Sequence, residues 1–252
     1  MLMAFEREGF LTLGIDTATE KRSVAVFRDG QQLSVCVSDS GGGSANVLGD
    51  IERALEESSV KLEEIELFAA ASGPGSFTGL RAGLATLKGL AATLGKPAEG
   101  VRTLHAVAHA ARPAGRVLAL IPAGRGEVFA QLLCVSREGE VKELGEPSHV
   151  PPAHLVERVA RLGGGVKWAG GGAQKFVELI RGGAAASGIK FVAASGATEE
   201  AAGDEWVVAP PVEALAPSVV VLARRKFLRG EAESAQSLRA IYVRPSDAEL
   251  KG

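Results

Sequence analysis

The sequence predicts an α/β protein built from two similar lobes, and three observations support this prediction. Apolar runs of strand length alternate with longer runs of helical periodicity along most of the 252 residues. A three-strand meander with a tight turn at Asp29-Gly30 occurs near the start, and a second one with its turn at Glu138-Gly139 follows later. Helices and a further strand follow each meander, so the same unit repeats at an offset of roughly one hundred residues.

The first half of the chain reads as a βββαβα unit. The triplet Gly41-Gly42-Gly43 separates the meander from a first helix, whose apolar residues recur at helical spacing. A second helix stops at Gly95, which suits a helix C-terminus, and Pro97 lies just beyond it. The predicted elements are strands at 11–16, 23–27 and 32–37, a helix at 44–57, a strand at 67–71 and a helix at 79–94.

The second half repeats this pattern with strands predicted at 117–121, 128–135 and around Val141, followed by helices and a further strand. The stretch 182–202 is rich in Ala, Gly and Ser, which indicates a loop with one short strand around Phe191. A helix over 216–229 has Pro217 in its first turn and is expected to cross between the lobes. The duplication predicts lobes at 1–102 and 103–252, a plan that the actin-like ATPase (ASKHA) fold shares.

Composition and charge argue against several classes of protein. A formal net charge of −2 disfavours a stand-alone nucleic-acid binder, which would normally carry a basic stripe. Cys36 and Cys134 lie in apolar strand-like runs without a CxxC spacing, so buried thiols in a reducing cytosol are the simplest account. The first ten residues lack the apolar core of a signal peptide, and no apolar run approaches the roughly 20 residues of a membrane span. These features predict a cytoplasmic protein.

The segment Gly73-Pro74-Gly75-Ser76-Phe77-Thr78-Gly79-Leu80-Arg81 joins a predicted strand to a predicted helix. Pro74-Gly75 suits the central positions of a type II turn, in which glycine takes a positive φ angle at the second position. Ser76 and Thr78 are expected to cap the helix start. The helix carries three glycines, each costing about 1 kcal/mol relative to alanine, which predicts the close approach of another backbone. These glycines are Gly79, Gly83 and Gly89.

This signature segment resembles that of the bacterial TsaB (YeaZ) family. Three further segments agree with the family, so the resemblance spans nearly the whole chain. They are Gly14-Ile15-Asp16-Thr17, Arg125-Gly126-Glu127-Val128-Phe129 and Tyr242-Val243-Arg244. The central segment is long and specific, whereas the other three are weak when taken alone. The resemblance implies the two-lobed actin-like fold and a role without a cofactor or catalytic residues.

The resemblance also implies a non-catalytic scaffold that binds and activates a TsaD-like catalytic subunit. In the family, that subunit transfers a threonylcarbamoyl group to the adenosine just 3′ of the anticodon in tRNAs reading ANN codons. A TsaE-like ATPase completes the assembly, and a TsaC-type enzyme makes the threonylcarbamoyl-adenylate from threonine, bicarbonate and ATP. Contact with tRNA is then expected only through the complex, and a homodimer is the alternative to pairing with TsaD.

Asp16 and the turn after the first strand are the candidate nucleotide-binding residues. In actin-like kinases and ATPases an acidic residue here orients Mg²⁺ and water, and the following turn, here Thr17, holds phosphate. The equivalent turn of the second lobe reads Ile121-Pro122-Ala123-Gly124, where such enzymes and TsaB relatives commonly have an aspartate. Proline offers neither a carboxylate nor an amide donor, so no nucleotide-hydrolysing cleft is expected. Gly170-Gly171-Gly172 resembles an adenosine-side glycine turn, so residual nucleotide binding involving Gly171 stays open.

Two enzyme classes remain as alternatives: a small-molecule kinase or ATPase of the same fold, and a glycoprotease-like metallopeptidase. His105 and His109 have the spacing of metal ligands on one helical face. Against the catalytic paralogue of the family, however, the metal positions fall on Thr103 and Val107. The shift of two residues turns the histidines by about 200° around the helix, so no metal site is predicted and the pair is expected at the surface or between lobes. A structural ion pair or turn hydrogen bond is expected for Glu127.

The two helices of the first lobe carry more apolar and small residues than one buried face requires. A helix that is apolar most of the way round is either buried on all sides or lies in an interface. A lobe of about one hundred residues has little interior for two such helices. We therefore expect them to pair with the same helices of a second actin-like lobe, in TsaD or another copy, the alternative being burial in their own lobe. The predicted interface residues are Val47, Leu48, Ile51, Leu55, Gly83, Leu84, Ala85, Leu87 and Ala92.

Overall fold

The computed structural model describes residues 9–39, 46–112, 115–194, 200–231 and 235–243. The elements of the first half are β1 (Leu11–Asp16), β2 (Lys21–Arg28), β3 (Gln31–Asp39), α1 (Val47–Ser58), β4 (Leu67–Gly73), α2 (Phe77–Leu94), β5 (Ala98–Arg102) and α3 (Thr103–Ala110). The elements of the second half are β6 (Gly115–Gly124), β7 (Glu127–Val135), β8 (Val141–Glu143), β9 (Ser148–Val150), α4 (Pro152–Ala160), β10 (Val166–Ala169), α5 (Gly171–Lys175), α6 (Val177–Ala186), β11 (Lys190–Ala193), β12 (Glu205–Val208) and α7 (Ala216–Leu228). The predicted chain break at Gly41-Gly42-Gly43 and the predicted helix start at Ser44 lie outside the described residues.

Two sheets repeat one topology. The first has the strand order β3-β2-β1-β4-β5, in which β1 pairs antiparallel with β2 and parallel with β4. The second has the order β11-β12-β10-β6-β7-β8, in which β6 pairs antiparallel with β7 and parallel with β10, and β9 adds to β7. Each sheet therefore begins with an antiparallel meander and continues through parallel strands. This arrangement confirms the predicted duplication of an α/β unit.

The chain divides into two compact units that do not follow the predicted boundary at residue 102. The described residues of Met1–Ala106 and Glu213–Ile241 form the first unit, and those of Val107–Val212 and Tyr242–Gly252 form the second. Helix α7 belongs to the first unit because it packs on the first sheet. The assignment of residues 103–252 to one lobe, with helix 216–229 crossing between lobes, is therefore corrected.

Helix α7 covers one face of the first sheet. A Cβ atom at Gly14 would lie 2.5 Å from Val220 Cγ2, so glycine at this strand position lets the helix come close. Ser23 Oγ accepts two backbone N–H groups from the helix start, at 3.1 and 3.0 Å. Nearer the other end, Lys226 forms an ion pair with the fully buried Glu99 of β5.

Helices α1 and α2 cover the opposite face of the same sheet. Leu13 and Ile15 of β1 are fully buried in one cluster with Ile51 of α1 and Leu87 of α2. Successive side chains of a strand point to opposite faces, and Gly14 between them faces α7. The first sheet is thus packed between helices on both sides, as its parallel pairs require.

The core of the second unit is built around Trp168 and Trp206, whose ring centroids lie 4.9 Å apart. Helices α4 and α6 cover these rings, although α4 was not predicted and α6 runs into the stretch predicted to be a loop. Gly183 lets α6 approach Val156 of α4, and Ala184 is fully buried beside it. Small residues therefore serve close helix packing here, which explains the misreading, while β11 confirms the predicted short strand.

Candidate functional site

The signature segment begins at the carboxyl end of β4 and opens α2. Ser76 is the N-cap residue, and its Oγ accepts a hydrogen bond of 3.2 Å from the N–H of Gly79. Thr78 lies inside the first helical turn and is exposed, so it is not the cap that was predicted. At the other end, Gly95 takes a left-handed conformation with φ of 64° and closes the helix as predicted.

The turn before α2 is not the predicted type II turn. Its second central residue would need a φ angle near +80°, whereas Gly75 has a φ of 159°, and the Gly73-Pro74 peptide bond is cis. Glycine is nonetheless needed at position 75, because a Cβ atom would lie 2.8 Å from the Cβ of Ala18 and closer still to its carbonyl oxygen. The requirement therefore comes from a close neighbour and not from the turn type.

The neighbour that approaches α2 is the turn after β1. The N–H of Ser76 donates a hydrogen bond of 2.8 Å to the carbonyl oxygen of Ala18. A Cβ atom at Gly79 would collide with the carbonyl oxygen of Thr17, and one at Gly83 would collide with the Thr17 side chain. The predicted backbone approach is therefore confirmed for the start of the helix.

A second contact fixes the other side of the signature segment. The N–H of Ile241 donates a hydrogen bond of 2.6 Å to the carbonyl oxygen of Ser72, and a side chain at Gly73 would collide with the Ile241 carbonyl. The N–H of Gly73 donates to Thr103 Oγ1 at 3.0 Å. Ile241 thus holds the chain against the signature segment just before Tyr242-Val243-Arg244, the last segment that resembles the family. Arg244 itself lies outside the described residues.

Asp16 is fully buried at the carboxyl end of β1. Its Oδ1 accepts a hydrogen bond of 2.8 Å from the N–H of Ala18, and its Oδ2 accepts one from the hydroxyl of Thr19. Burial raises the pKa of the Asp16 carboxyl from 3.8 to about 6, and these hydrogen bonds offset part of that rise. Both carboxyl oxygens are therefore engaged by the turn that they stabilise.

The glycine turn of the second unit packs on β6. A Cβ atom at Gly172 would lie 2.7 Å from Leu120 Cβ, and Gly170 has a φ of 94° beside the Leu120 carbonyl. Gly171 faces Pro122, with 3.5 Å between its ideal Cβ position and the proline Cδ. The triplet thus has a packing reason, and proline stands beside it where the actin-like nucleotide enzymes commonly have an aspartate.

The histidine pair lies on α3, and burial bears on only one of the two positions expected for it, the surface. His109 is 1% exposed and His105 is half-buried, so His109 is not a surface residue. Helix α3 is buried on most sides, through Leu104, Val107 and their neighbours. Among the described residues, no group of three or more His, Cys, Asp or Glu side chains is placed to hold a metal ion. Throughout the described residues, every helix is too short or too polar to span a membrane.

Glu127 makes the kind of structural contact that was predicted for it. Its Oε2 lies 2.9 Å from Nε2 of His149, and the ring of Phe129 packs against the same imidazole with centroids 4.9 Å apart. The pair joins the start of β7 to β9.

The predicted interface residues fall into two groups. Five of them are buried in the core of the first unit, and Gly83 lies against Thr17, so these six are not accessible to a partner in this structure. The five are Val47, Ile51, Leu55, Leu84 and Leu87. The correction has a simple reason: helical periodicity identifies an apolar face, but it does not say which face the chain itself covers.

The remaining predicted interface residues point outward. Leu48 on α1 is 53% exposed, and Ala85 and Ala92 of α2 are exposed. The exposed residues of α2 at three- to four-residue spacing form a stripe that we name the α2 face. The α2 face consists of Phe77, Arg81, Ala85, Gly89 and Ala92.

The duplicated sheet, with a buried aspartate after its first strand, defines the class as a two-lobed actin-like α/β protein. A family model described as TsaD, tRNA N6-adenosine threonylcarbamoyltransferase, matches residues 44–248. The tRNA threonylcarbamoyladenosine biosynthesis protein TsaB of Escherichia coli K12 is 29% identical over 92% of this chain and 94% of its own length. The tRNA N6-adenosine threonylcarbamoyltransferase of Thermosipho africanus is 28% identical over 60% of this chain and 52% of its own length.

Solved structures agree with these sequence matches. A protein of Pseudomonas aeruginosa described as similar to peptidase YEAZ superposes with a TM-score of 0.73 and 25% identity, covering 93% of this chain and all of that one. The chain therefore belongs to the TsaB (YeaZ) family, within the wider group that the TsaD model describes.

Proposed function

We propose that this chain is a non-catalytic scaffold in the machinery that forms threonylcarbamoyladenosine in tRNA. In this role it binds and activates a TsaD-like catalytic subunit, and it contributes a surface and no chemistry of its own. The lengths of the relatives support this role. The chain spans 94% of the TsaB protein of Escherichia coli but only 52% of the transferase of Thermosipho africanus.

The observation that carries the proposal is the way the first unit uses the turn after β1. In actin-like nucleotide enzymes this turn meets phosphate. Here the Asp16 oxygens accept hydrogen bonds from the Ala18 N–H and the Thr19 hydroxyl, and the Ala18 carbonyl accepts the N–H of Ser76. Because these groups are engaged within the protein, the arrangement supports a role in holding α2 over a role in binding phosphate. Pro122 in the second unit supports the same conclusion.

The α2 face is the proposed docking surface for the TsaD-like subunit. Its middle and end carry only Ala85, Gly89 and Ala92, so another helix can approach the backbone of α2 closely. Leu48 on the neighbouring helix α1 adds an exposed apolar side chain. A homodimer through the same face is the competing arrangement.

The other components follow from the family. We propose that a TsaE-like ATPase joins the assembly, that tRNA is contacted only through the complex, and that the chain works in the cytoplasm without a cofactor. Any nucleotide binding at Asp16, Thr17 or Gly171 would then be residual.

Threonylcarbamoyl transfer to tRNA by purified proteins tests the proposal. The TsaD-like, TsaE-like and TsaC-type proteins are assayed with labelled threonine, with and without this chain. We expect transfer only in the complete mixture. The variant Ala85→Glu should remove the stimulation and the binding to the TsaD-like subunit, while Ala153→Glu on α4, which also replaces an exposed alanine, should keep both.

Two results would contradict the scaffold role. Threonylcarbamoyl transfer by this chain without a TsaD-like protein would make it an enzyme. Tight binding of ATP and Mg²⁺ in isothermal titration, with hydrolysis, would favour the small-molecule kinase or ATPase. Metal analysis of the purified chain decides the metallopeptidase alternative.

A further inference from the structure

The α2 face carries one extended cation on an otherwise smooth surface. Arg81 is exposed, and beyond it the face consists of alanine and glycine. Lys88, the other basic residue of α2, donates a hydrogen bond of 2.9 Å to the carbonyl oxygen of Gln236, and no acidic residue occurs in the sequence of α2. The charge of Arg81 therefore has no compensating charge on its own helix.

Gly89 is a glycine of α2 that no contact within the described part of the chain explains. Glycine costs about 1 kcal/mol relative to alanine inside a helix, and at Gly79 and Gly83 the contact with Thr17 explains that cost. A Cβ atom at Gly89 would meet no described atom within 4 Å. Packing within the described part of the chain thus gives no reason for glycine at this position, whereas close approach of a partner helix does.

The ring of Phe77 contacts the guanidinium of Arg81. The guanidinium carbon of Arg81 lies 3.9 Å from the centroid of the Phe77 ring, one helical turn earlier on the same face. A guanidinium that packs on a ring through its flat side keeps its N–H edges available for another acceptor. A side chain that is already ordered loses less entropy when it binds, so the pair is a preorganised donor for a planar acceptor.

The surroundings favour a carboxylate of a protein over the phosphates of a nucleic acid. Helix α1, which packs beside α2, exposes Glu52, Glu56 and Glu57 against one exposed arginine, Arg53, and this net negative charge disfavours a polyanion. A single cation next to a smooth helical stripe fits one carboxylate on a facing helix.

We propose that Arg81, ordered by Phe77, determines the specificity of the α2 face by donating two N–H hydrogen bonds to a carboxylate on the partner helix. This inference rests on the proposed docking of a TsaD-like subunit. A bidentate contact of this kind favours arginine over lysine, and it discriminates against a partner without an acidic residue at the matching position.

Titration calorimetry of the full-length chain with the TsaD-like protein of the same organism tests the inference at low and high salt. We expect Arg81→Met, which keeps an apolar stem without the charge, to weaken binding by tenfold or more at low salt. Arg81→Lys should bind with an intermediate affinity, and Phe77→Leu should weaken binding by about threefold because the stacking is lost. The difference between wild type and Arg81→Met should shrink as salt rises.

The controls separate this inference from the docking itself. Arg137→Ala, an exposed arginine of the second unit, should bind like wild type, and thermal melting should show that every variant is folded. If Ala85→Glu prevents binding while Arg81→Met binds like wild type, the docking face stands and the role of Arg81 is overturned. If both variants bind like wild type, the proposed docking has failed. Equal affinities for Arg81→Met and Arg81→Lys would also overturn the role.

Discussion

At the scale of single residues, Thr17 and Ala18 explain why glycine is needed in the signature segment and in the first turns of α2. Gly75 has no room for a Cβ beside Ala18, and Gly79 and Gly83 have none beside Thr17. The sequence indicated a close backbone approach, yet it could not tell which glycine has a neighbour, because Thr17 lies some sixty residues away along the chain. For the same reason the type II turn was a sound local interpretation and was wrong.

Gly75→Val should destabilise the free chain through this contact. The valine Cβ would press against the Cβ and carbonyl oxygen of Ala18, and overpacking of this kind costs about 1–3 kcal/mol. We expect a lower melting temperature, measured by circular dichroism. An unchanged melting curve would mean that the turn after β1 can move away at no cost. Gly182→Val is the control, because a Cβ atom at this helical position would meet open space. Gly126→Val would not serve, because the φ of 79° at Gly126 disfavours any side chain.

The carboxyl of Asp16 should make stability depend on pH in an unusual direction. Its folded pKa of about 6 lies above the unfolded value, so its stabilising effect is complete below about pH 4 and is lost as pH rises through 6. The whole effect amounts to at most about 3 kcal/mol. In Asp16→Asn the amide preserves the shape but does not titrate, so wild type should lose stability relative to the variant between pH 4 and pH 7. Parallel urea curves for the two proteins, with no change in their difference, would contradict the buried, shifted carboxyl.

At the scale of elements, α2 shows how far periodicity reaches. Its N-cap at Ser76 and its end at Gly95 were predictable, since capping chemistry is local, although the helix begins at Phe77, two residues before the predicted start. The division of its residues between core and surface was not, because Leu84 and Leu87 are buried by strands that come from elsewhere in the sequence. Helix α6 was missed for a related reason. Gly183 and Ala184 are small residues that give no helical signal in the sequence, and the helix is stabilised by packing against Val156 of α4.

A matched pair of glycine substitutions should separate the two sides of α2. Gly79→Ala places a methyl group against the Thr17 carbonyl and should destabilise the free chain by about 1–3 kcal/mol. Gly89→Ala meets open space and should stabilise it by about 0.5–1 kcal/mol, because alanine is the better helix former. Chemical denaturation of both variants measures the difference. Destabilisation by Gly89→Ala would show that the outward side of α2 already has a close neighbour in the free chain.

At the scale of the whole molecule, the sequence revealed the duplication, but it did not reveal that Glu213–Ile241 returns to the first unit. The repeated meander follows from turn signals and alternation, which are local features. The addition of Glu213–Ile241 to the first unit depends on Gly14, which admits Val220, and on Ser23, which caps the start of α7. Each of these residues is unremarkable in its own segment, so a boundary drawn from the repeat alone leaves out one covering layer of the first sheet.

A fragment of residues 1–106 should therefore fail to fold alone and should fold when a peptide of residues 213–241 is added. Without α7, one face of the first sheet loses the cover of Val219 and Val220, both fully buried, together with the rest of a helix. Each buried valine contributes about 1.5–3 kcal/mol, so the missing layer is comparable with the 5–15 kcal/mol that stabilises a typical domain. Thermal melting should show a cooperative transition only with the peptide, and a Val220→Asp peptide should not restore it. Cooperative folding of the fragment by itself would support the boundary read from the repeat, because α7 would then be an addition to a lobe that is already complete.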